Sequence, residues 1–212
     1  MMLKDHPSQP NYNIARRLLK AGLLVWNRFT ARGAENVPAT GGCIIVSNHA
    51  SFLDPPILGA GVRHRQVRFM ARDTLFEGRF MGWLMPSIGV IPLDRTRGDI
   101  GALRKAIQLL KAGAVIGLFP EGTRTHDGNL QAPKGGIGFL IAKAGVPVVP
   151  AYIAGSFRAY PRGARFIRPT NVSIIFGTPI PPAELAALAT EENGYEKIAQ
   201  LAMKHIAALR AP

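Results

Sequence analysis

The sequence predicts an α/β fold, in which a mixed, mostly parallel central sheet is flanked by helices in a single domain. Short apolar runs typical of buried strands alternate with segments whose apolar residues recur at helical spacing. Of the 212 residues, 47% are hydrophobic and 18% are charged, and no linker-like run divides the chain. These observations favour one folded domain and exclude a disordered chain.

The first predicted element is a basic amphipathic helix over residues 13–29. Its apolar residues lie at helical spacing, with basic side chains around them (Ile14, Leu18, Val25, Trp26 and Phe29; Arg16, Arg17, Lys20 and Arg28). This mixture is typical of a helix in the bilayer interface, and the alternative is a terminal helix docked on the core. We expect residues 1–33 to form a membrane-associating segment and residues 34–212 to form the main domain. Neither an export signal nor a spanning helix is expected.

The other predicted elements alternate along the chain. Strands are expected at CIIVS (43–47), AVIGLF (114–119), VPVVPAYIA (146–154, with prolines at its ends) and VSIIF (172–176). Helices are expected over residues 100–110, 135–144 and 195–209. In such folds the loops at strand ends usually carry the chemistry.

The charge restricts the classes of binding partner, and the cysteine content indicates the redox compartment. The 26 Lys and Arg against 13 Asp and Glu give a net charge of +13, which suits nucleic acid, anionic lipid or a phosphorylated substrate. No nucleic-acid-binding signature is present, so we expect no nucleic acid partner. The single Cys43 lies in an apolar run, which predicts a buried core thiol in a reducing compartment.

The first candidate site is NHASFLD, residues 48–54, directly after a predicted strand. If that strand ends where a helix begins, Asp54 can bond one imidazole nitrogen of His49 and leave the other as a base. A substrate hydroxyl would then take the place of a nucleophilic serine. The alternative is a surface histidine beside a helix N-cap, because Asp54 precedes two prolines.

The second candidate site is FPEGTRT, residues 119–125, at the end of another predicted strand. Arg124 offers a planar donor fork that fits a phosphate, and Gly122 permits close approach of the backbone. Glu121 is expected to hold either Arg124 or a substrate hydroxyl. A polar β-turn with a local ion pair is the alternative.

Four segments occur in a fixed order, namely NHASFLD, GVIPLDR (89–95), FPEGTRT and VPVVPAY (146–152). In this the sequence resembles the glycerolipid acyltransferase family that contains the 1-acylglycerol-3-phosphate acyltransferases, whose signature is an NHxxxxD motif followed by three further blocks. The resemblance extends from about Pro38 to about Phe176. Pro92 and Thr125 depart from the commoner residues of the blocks without removing a group that the chemistry needs.

The resemblance implies transfer of a fatty acyl group from a thioester to the sn-2 hydroxyl of lysophosphatidate, which gives phosphatidate. The thioester is either acyl-CoA or acyl carrier protein. By resemblance, His49 and Asp54 form the catalytic pair of an acyltransferase domain over residues 34–212. The implied acceptor-binding residues are Arg95, Glu121, Gly122, Thr123, Arg124 and Lys134. Lys134, or backbone N–H groups near the fourth block, would stabilise the oxyanion.

Thioester alcoholysis needs no metal or redox cofactor, and the sequence has no metal-ligand spacing, so none is expected. We expect the protein at the cytoplasmic face of the cell membrane, peripheral or monotopic, on an anionic bilayer. Glycerol-3-phosphate or another lyso-lipid stays open as the acceptor. A non-catalytic, basic lipid- or nucleic-acid-binding protein is the alternative of another class.

Two further segments have two interpretations each. The apolar segment 76–92 is expected either to line an acyl-chain channel or to pack in the core. The basic run of Arg158, Arg162, Arg165 and Arg168 is expected either to contact anionic headgroups or CoA phosphates, or to be a solvated loop.

Overall fold

The computed structural model describes residues 10–93, 100–134 and 136–210. Its strands are β1 (Thr30–Arg32), β2 (Cys43–Ser47), β3 (Val67–Arg72), β4 (Ile91–Leu93), β5 (Val115–Leu118), β6 (Val148–Ala154) and β7 (Ser173–Phe176). Its helices are α1 (Pro10–Asn27), α2 (Asp54–Gly61), α3 (Arg79–Ser87), α4 (Ile100–Lys111), α5 (Ile137–Ala144), α6 (Ser156–Ala159), α7 (Pro182–Ala189) and α8 (Gly194–Ala208).

The strands of the described residues form one seven-stranded sheet in the order β1-β7-β6-β2-β5-β3-β4. β2 pairs in parallel with β5 and β6, and β3 pairs in parallel with β5 and β4. Among the strand pairs of the described residues, β6 and β7 are the antiparallel pair. The predicted α/β fold with a mostly parallel sheet is therefore confirmed. Because β2, β5 and β6 run the same way, the loops that follow them meet at one edge.

Helices cover both faces of the sheet. In β2 every residue is buried, and successive side chains point to opposite faces. Ile44 and Val46 join the core under α4, α5, α7 and α8, while Ile45 joins the core under α1 and α2. This double burial explains why β2 is apolar throughout rather than alternating. Cys43 is buried as predicted, and its desolvation raises the pKa of the thiol to about 12.

The N-terminal helix differs from its prediction at both ends, and it begins at Pro10 rather than at Asn13. α1 ends at Asn27 because Arg28 adopts a left-handed conformation with φ of 44°. Phe29 therefore lies beyond the helix and is buried in the core rather than on an amphipathic face. The helix docks through Tyr12 and Leu23, and the Tyr12 hydroxyl oxygen accepts a 3.2 Å hydrogen bond from the backbone N–H of Val67.

Two predicted boundaries are also corrected. Pro150 lies in the middle of β6 rather than at its end, next to two neighbouring strands. Proline lacks only the N–H donor, and the Pro150 carbonyl oxygen still accepts a 2.8 Å hydrogen bond from the N–H of Gly177. The helix expected over 135–144 begins at Ile137, and residue 135 lies outside the described residues.

In the described ranges, no helix is both long and apolar enough to cross a bilayer. The sheet also includes part of the predicted N-terminal segment, because β1 pairs with β7. The proposed division of the chain at residue 33 stays a prediction.

Candidate active site

The imidazole and carboxylate of NHASFLD meet at the carboxyl end of β2. Nδ1 of His49 lies 2.9 Å from Oδ2 of Asp54, the first residue of α2. The same oxygen accepts hydrogen bonds of 2.6 Å from the backbone N–H groups of Ala50 and Ser51. Asp54 is fully buried, while the His49 side chain is 19% exposed. With Nδ1 committed to the carboxylate, Nε2 is the nitrogen available as a base.

Aromatic rings fix the plane of the imidazole. The His49 ring stacks on Phe119, with 4.1 Å between centroids and 18° between planes. Phe69 stacks behind Phe119 at 6.4 Å. Gly117 makes room for this wall, because a Cβ atom there would lie 2.5 Å from Cε1 of Phe69. β3 and β5 thus supply an apolar backing that limits rotation of the base.

The backbone of His49 is held from both sides by FPEGTRT. Its N–H donates a 2.9 Å hydrogen bond to Oε1 of Glu121, and its carbonyl oxygen accepts one from the N–H of Thr125 at 2.9 Å. The other Glu121 oxygen accepts a 3.1 Å bond from Nε2 of Gln131. Burial raises the pKa of Glu121, and the hydrogen bonds from His49 and Gln131 partly oppose that rise.

These contacts correct the expectation that Glu121 holds Arg124, whereas its contact with a substrate hydroxyl stays a prediction. Glu121 is only 1% exposed, and within the described part of the chain no ion pair joins it to Arg124. Its two oxygens already serve the His49 backbone and Gln131. Glu121 is therefore placed to position His49.

Arg124 lies on the aromatic face of Phe52, with 3.4 Å from its guanidinium carbon to the ring centroid. Among the described residues, its buried Nη1 atom has no hydrogen-bond partner. Burial lowers the pKa of Arg124, and the nearby charge of Arg162 lowers it further. An arginine fork held by an aromatic ring, with a free buried donor, is arranged to receive an anion.

Of the other predicted binding residues, Gly122, Thr123 and Lys134 lie in or against the loop that carries Arg124. Gly122 turns the chain with φ of 65°, and a Cβ atom there would lie 3.1 Å from Cδ of Lys134. The stem of Lys134 therefore covers Gly122, and the Lys134 N–H bonds the carbonyl oxygen of Pro120. The carbonyl oxygen of Thr123 accepts a bond from Gln131. Arg95 lies outside the described residues.

Asn48 is a residue of this loop that the sequence interpretation passed over. Its side-chain amide donates to the carbonyl oxygen of Ile153 at 3.0 Å and accepts from the Ile153 N–H at 2.7 Å. This pair of bonds continues the β2–β6 pairing past Ser47 and fixes where the loop leaves the sheet. The available signal was a buried strand that ends in an amide, which carries both a donor and an acceptor.

The two departures from the family blocks fit the structure. The Thr125 hydroxyl donates to Asp127 at 2.7 Å and accepts from the N–H of Gly128, so it closes the turn that a serine hydroxyl would also close. Pro92 is exposed in β4.

In the apolar segment 76–92, Ile91 is buried in the core, Met81 and Met85 are half-buried and Trp83 is exposed. The side chains of Phe80 and Leu84 lie outside the described part of the structure, so the acyl-chain channel stays a prediction. Within the described residues, no three His, Cys, Asp or Glu side chains cluster as metal ligands would.

Comparison with known proteins identifies the class of this site. The family model described as Acyltransferase matches residues 28–154, and the chain belongs to that family.

Two relatives and one solved structure show how far the likeness extends. The chloroplastic 1-acyl-sn-glycerol-3-phosphate acyltransferase BAT2 of Brassica napus is 36% identical over 174 residues, which cover 80% of this chain and 49% of that protein. The 1-acyl-sn-glycerol-3-phosphate acyltransferase of Bacillus subtilis is 30% identical over 176 residues, which cover 82% of each. The crystal structure of the 1-acyl-sn-glycerophosphate acyltransferase PlsC from Thermotoga maritima matches 95% of this chain and 80% of that chain, with a TM-score of 0.77 and 27% identity. The chain spans about half the length of BAT2 and of LPAT1, a chloroplastic 1-acyl-sn-glycerol-3-phosphate acyltransferase of Arabidopsis thaliana.

Proposed function

We propose that the chain transfers a fatty acyl group from a thioester to the sn-2 hydroxyl of lysophosphatidate and so forms phosphatidate. The observation that carries this proposal is the 2.9 Å contact between His49 Nδ1 and a fully buried Asp54 carboxylate. The names of the relatives support the acceptor, and Arg124 supplies a cation for its phosphate. The donor is acyl-CoA or acyl carrier protein.

The geometry supports a single-base mechanism. Nε2 of His49 removes the proton of the acceptor hydroxyl while the hydroxyl oxygen attacks the thioester carbonyl carbon. The Asp54 carboxylate stabilises the imidazolium that forms. Collapse of the tetrahedral intermediate breaks the carbon–sulfur bond, and the leaving thiolate takes the proton from His49. The products are phosphatidate and a free thiol, with no net change at the protein.

Lys134 and Arg95 complete the proposed acceptor site by resemblance. The Lys134 stem lies over Gly122, which keeps its ammonium group near the loop that carries Arg124. We assign Lys134 to the acceptor phosphate or to the oxyanion, and Arg95 to the phosphate. A glycerol phosphate carries about two negative charges at neutral pH, so several cations on one group are expected.

We also propose that the protein works on an anionic bilayer at the cytoplasmic face of the cell membrane. The outward side of α1 stays apolar, with Leu18 70% and Val25 83% exposed, although the inward side is docked on the core. Trp26 donates its indole N–H to the carbonyl oxygen of Ile167 at 3.0 Å, which joins α1 to a loop whose Phe166 is 79% exposed. Apolar side chains beside exposed arginines are typical of an interfacial surface.

The acceptor assignment is tested with purified protein and labelled acyl-CoA or acyl carrier protein. Lysophosphatidate, glycerol-3-phosphate and a neutral lyso-lipid are offered at equal concentration. We expect phosphatidate as the main product, and Arg124→Ala should raise the KM for lysophosphatidate about tenfold or more, since charge-assisted hydrogen bonds to phosphate are lost. Faster acylation of either other acceptor would move the assignment to that molecule.

Membrane attachment is tested by sedimentation with vesicles. Val25→Glu should reduce binding to vesicles that contain anionic lipid, because a charge would enter the interface. Ala186→Glu is the matched control, since Ala186 is exposed on α7 on the opposite face of the sheet. Equal binding of the two variants would contradict the proposed surface.

A further inference from the structure

The segment that follows α6 is fastened to the catalytic loop. The hydroxyl of Ser51 donates a 2.7 Å hydrogen bond to the carbonyl oxygen of Tyr160. The Tyr160 ring also lies 6.2 Å from the Phe52 ring, which is the ring that carries Arg124. Residues 160–162 are therefore held next to the loop of His49.

A second contact fastens the same segment to the other loop of the site. Nη1 of Arg162 lies 3.2 Å from Nε2 of His126, two residues beyond Arg124. Because a guanidinium group only donates, Nε2 of His126 is the acceptor in this contact. One of the five N–H donors of Arg162 is thus used for orientation, which leaves four to bond a ligand.

Two guanidinium groups are therefore brought together at one place. Burial is the main cause that lowers the pKa of Arg124, and the charge of nearby Arg162 lowers it further, whereas Asp54 and Tyr160 oppose the shift. In the part of the chain that the structure describes, neither arginine forms an ion pair with a carboxylate. The repulsion between the two cations destabilises this arrangement. A doubly charged anion bound between them would attract both and outweigh the repulsion.

We propose that Arg162, oriented by His126, forms the second arm of a phosphate clamp opposite Arg124 and selects acceptors that carry a phosphomonoester. A phosphomonoester has about two charges at neutral pH and three terminal oxygens, so it can bond both arginines. A phosphodiester, as in lysophosphatidylglycerol, has one charge and two free oxygens. This inference rests on the proposed function, since it names a further specificity residue for the same acceptor.

Phosphate groups also occur on CoA and on bilayer headgroups, and kinetics separate these sources. Activity is measured in mixed micelles of a neutral detergent, which removes the anionic bilayer. The KM values for lysophosphatidate and for acyl-CoA are determined separately. The exposed Arg210, which follows α8 and has no assigned binding role, provides the matched control variant Arg210→Gln.

For Arg162→Gln we expect the KM for lysophosphatidate to rise about tenfold, with kcat within about twofold and the KM for acyl-CoA unchanged, because the lost bonds are charge-assisted but solvent-exposed. The preference for lysophosphatidate over lysophosphatidylglycerol should fall by a similar factor. Arg210→Gln should behave as the wild type. His126→Ala should raise the KM several-fold, and His126→Gln should restore it, since the glutamine oxygen replaces the Nε2 acceptor.

An unchanged KM for lysophosphatidate in Arg162→Gln, in an assay where the wild type makes phosphatidate, would overturn the clamp and leave the proposed function standing. A rise confined to the KM for acyl-CoA would also overturn it and would move Arg162 to the donor. If the wild type forms no phosphatidate at all, the proposed function fails and the clamp fails with it.

Discussion

Replacement of Glu121 separates a positioning role from a substrate-binding role. In the structure its carboxylate holds the His49 N–H at 2.9 Å and Gln131 at 3.1 Å. Glu121→Gln keeps an oxygen for the His49 N–H, whereas Glu121→Ala removes the acceptor. The two variants therefore differ mainly in whether the base is held in place.

The size of the effect follows from these two bonds. Each hydrogen bond to a charged group contributes about 1.5–3 kcal/mol to the free energy of unfolding. The desolvation cost of the buried Glu121 carboxylate offsets part of this contribution. We expect Glu121→Ala to lower the free energy of unfolding by about 2–4 kcal/mol. Displacement of the imidazole should lower kcat about 10- to 100-fold. The KM for lysophosphatidate should stay within about twofold in both variants.

The assays are urea unfolding and steady-state kinetics with lysophosphatidate varied at saturating donor. Glu121→Gln should keep kcat within about threefold of the wild type, because the acceptor for the His49 N–H remains. A Glu121→Gln enzyme with unchanged kcat and a KM for lysophosphatidate raised tenfold would refute the reasoning. That result would return Glu121 to direct contact with the acceptor.

Three other predictions follow from buried groups. Since the pKa of Glu121 is raised above its ordinary 4.5, the native state binds this proton more tightly than the unfolded state, and wild-type stability should fall relative to Glu121→Gln as the pH rises above about 4.5 through the folded-state pKa. Urea unfolding from pH 4 to 8 measures this difference, and a constant difference would contradict it. Asn48→Ala should lower the free energy of unfolding by about 2–4 kcal/mol, because it leaves a buried N–H and carbonyl of β6 without partners; a urea-measured loss under about 0.5 kcal/mol would oppose that reasoning. Cys43, whose thiol pKa is raised to about 12, should resist iodoacetamide at pH 8 in the folded protein and react after unfolding, as mass spectrometry would show.

The sequence predicted those strands and helices whose apolar residues follow a regular pattern. β2 and β5 were recognisable as continuous apolar runs, and α4 and α8 by their helical spacing. β3 was missed because Arg68 and Arg72 interrupt its apolar residues, although Arg68 is itself buried. The start of α2 was anticipated from Asp54 and the two prolines after it, but its extent was not, because eight residues show too little periodicity.

In the site, contacts between residues close in sequence were predictable, and contacts between residues far apart in sequence were not. The His49–Asp54 contact joins residues only five positions apart, so the spacing allowed it, and the family resemblance favoured it over a surface histidine beside a helix N-cap. The contact of His49 with Glu121 joins residues 72 positions apart and depends on β2 lying beside β5. Strand order cannot be read from one sequence, so the positioning role of Glu121 and the stacking of Phe119 emerged only from the fold.

The rate of phosphatidate formation by His49→Ala tests the account most directly. Purified wild type and variant are compared with lysophosphatidate and labelled acyl donor, after circular dichroism and urea unfolding establish that both are folded. Removal of a general base should lower kcat by about a thousandfold, with little change in the KM for lysophosphatidate. A folded variant that forms phosphatidate at the wild-type rate would contradict the assignment of His49 as the base.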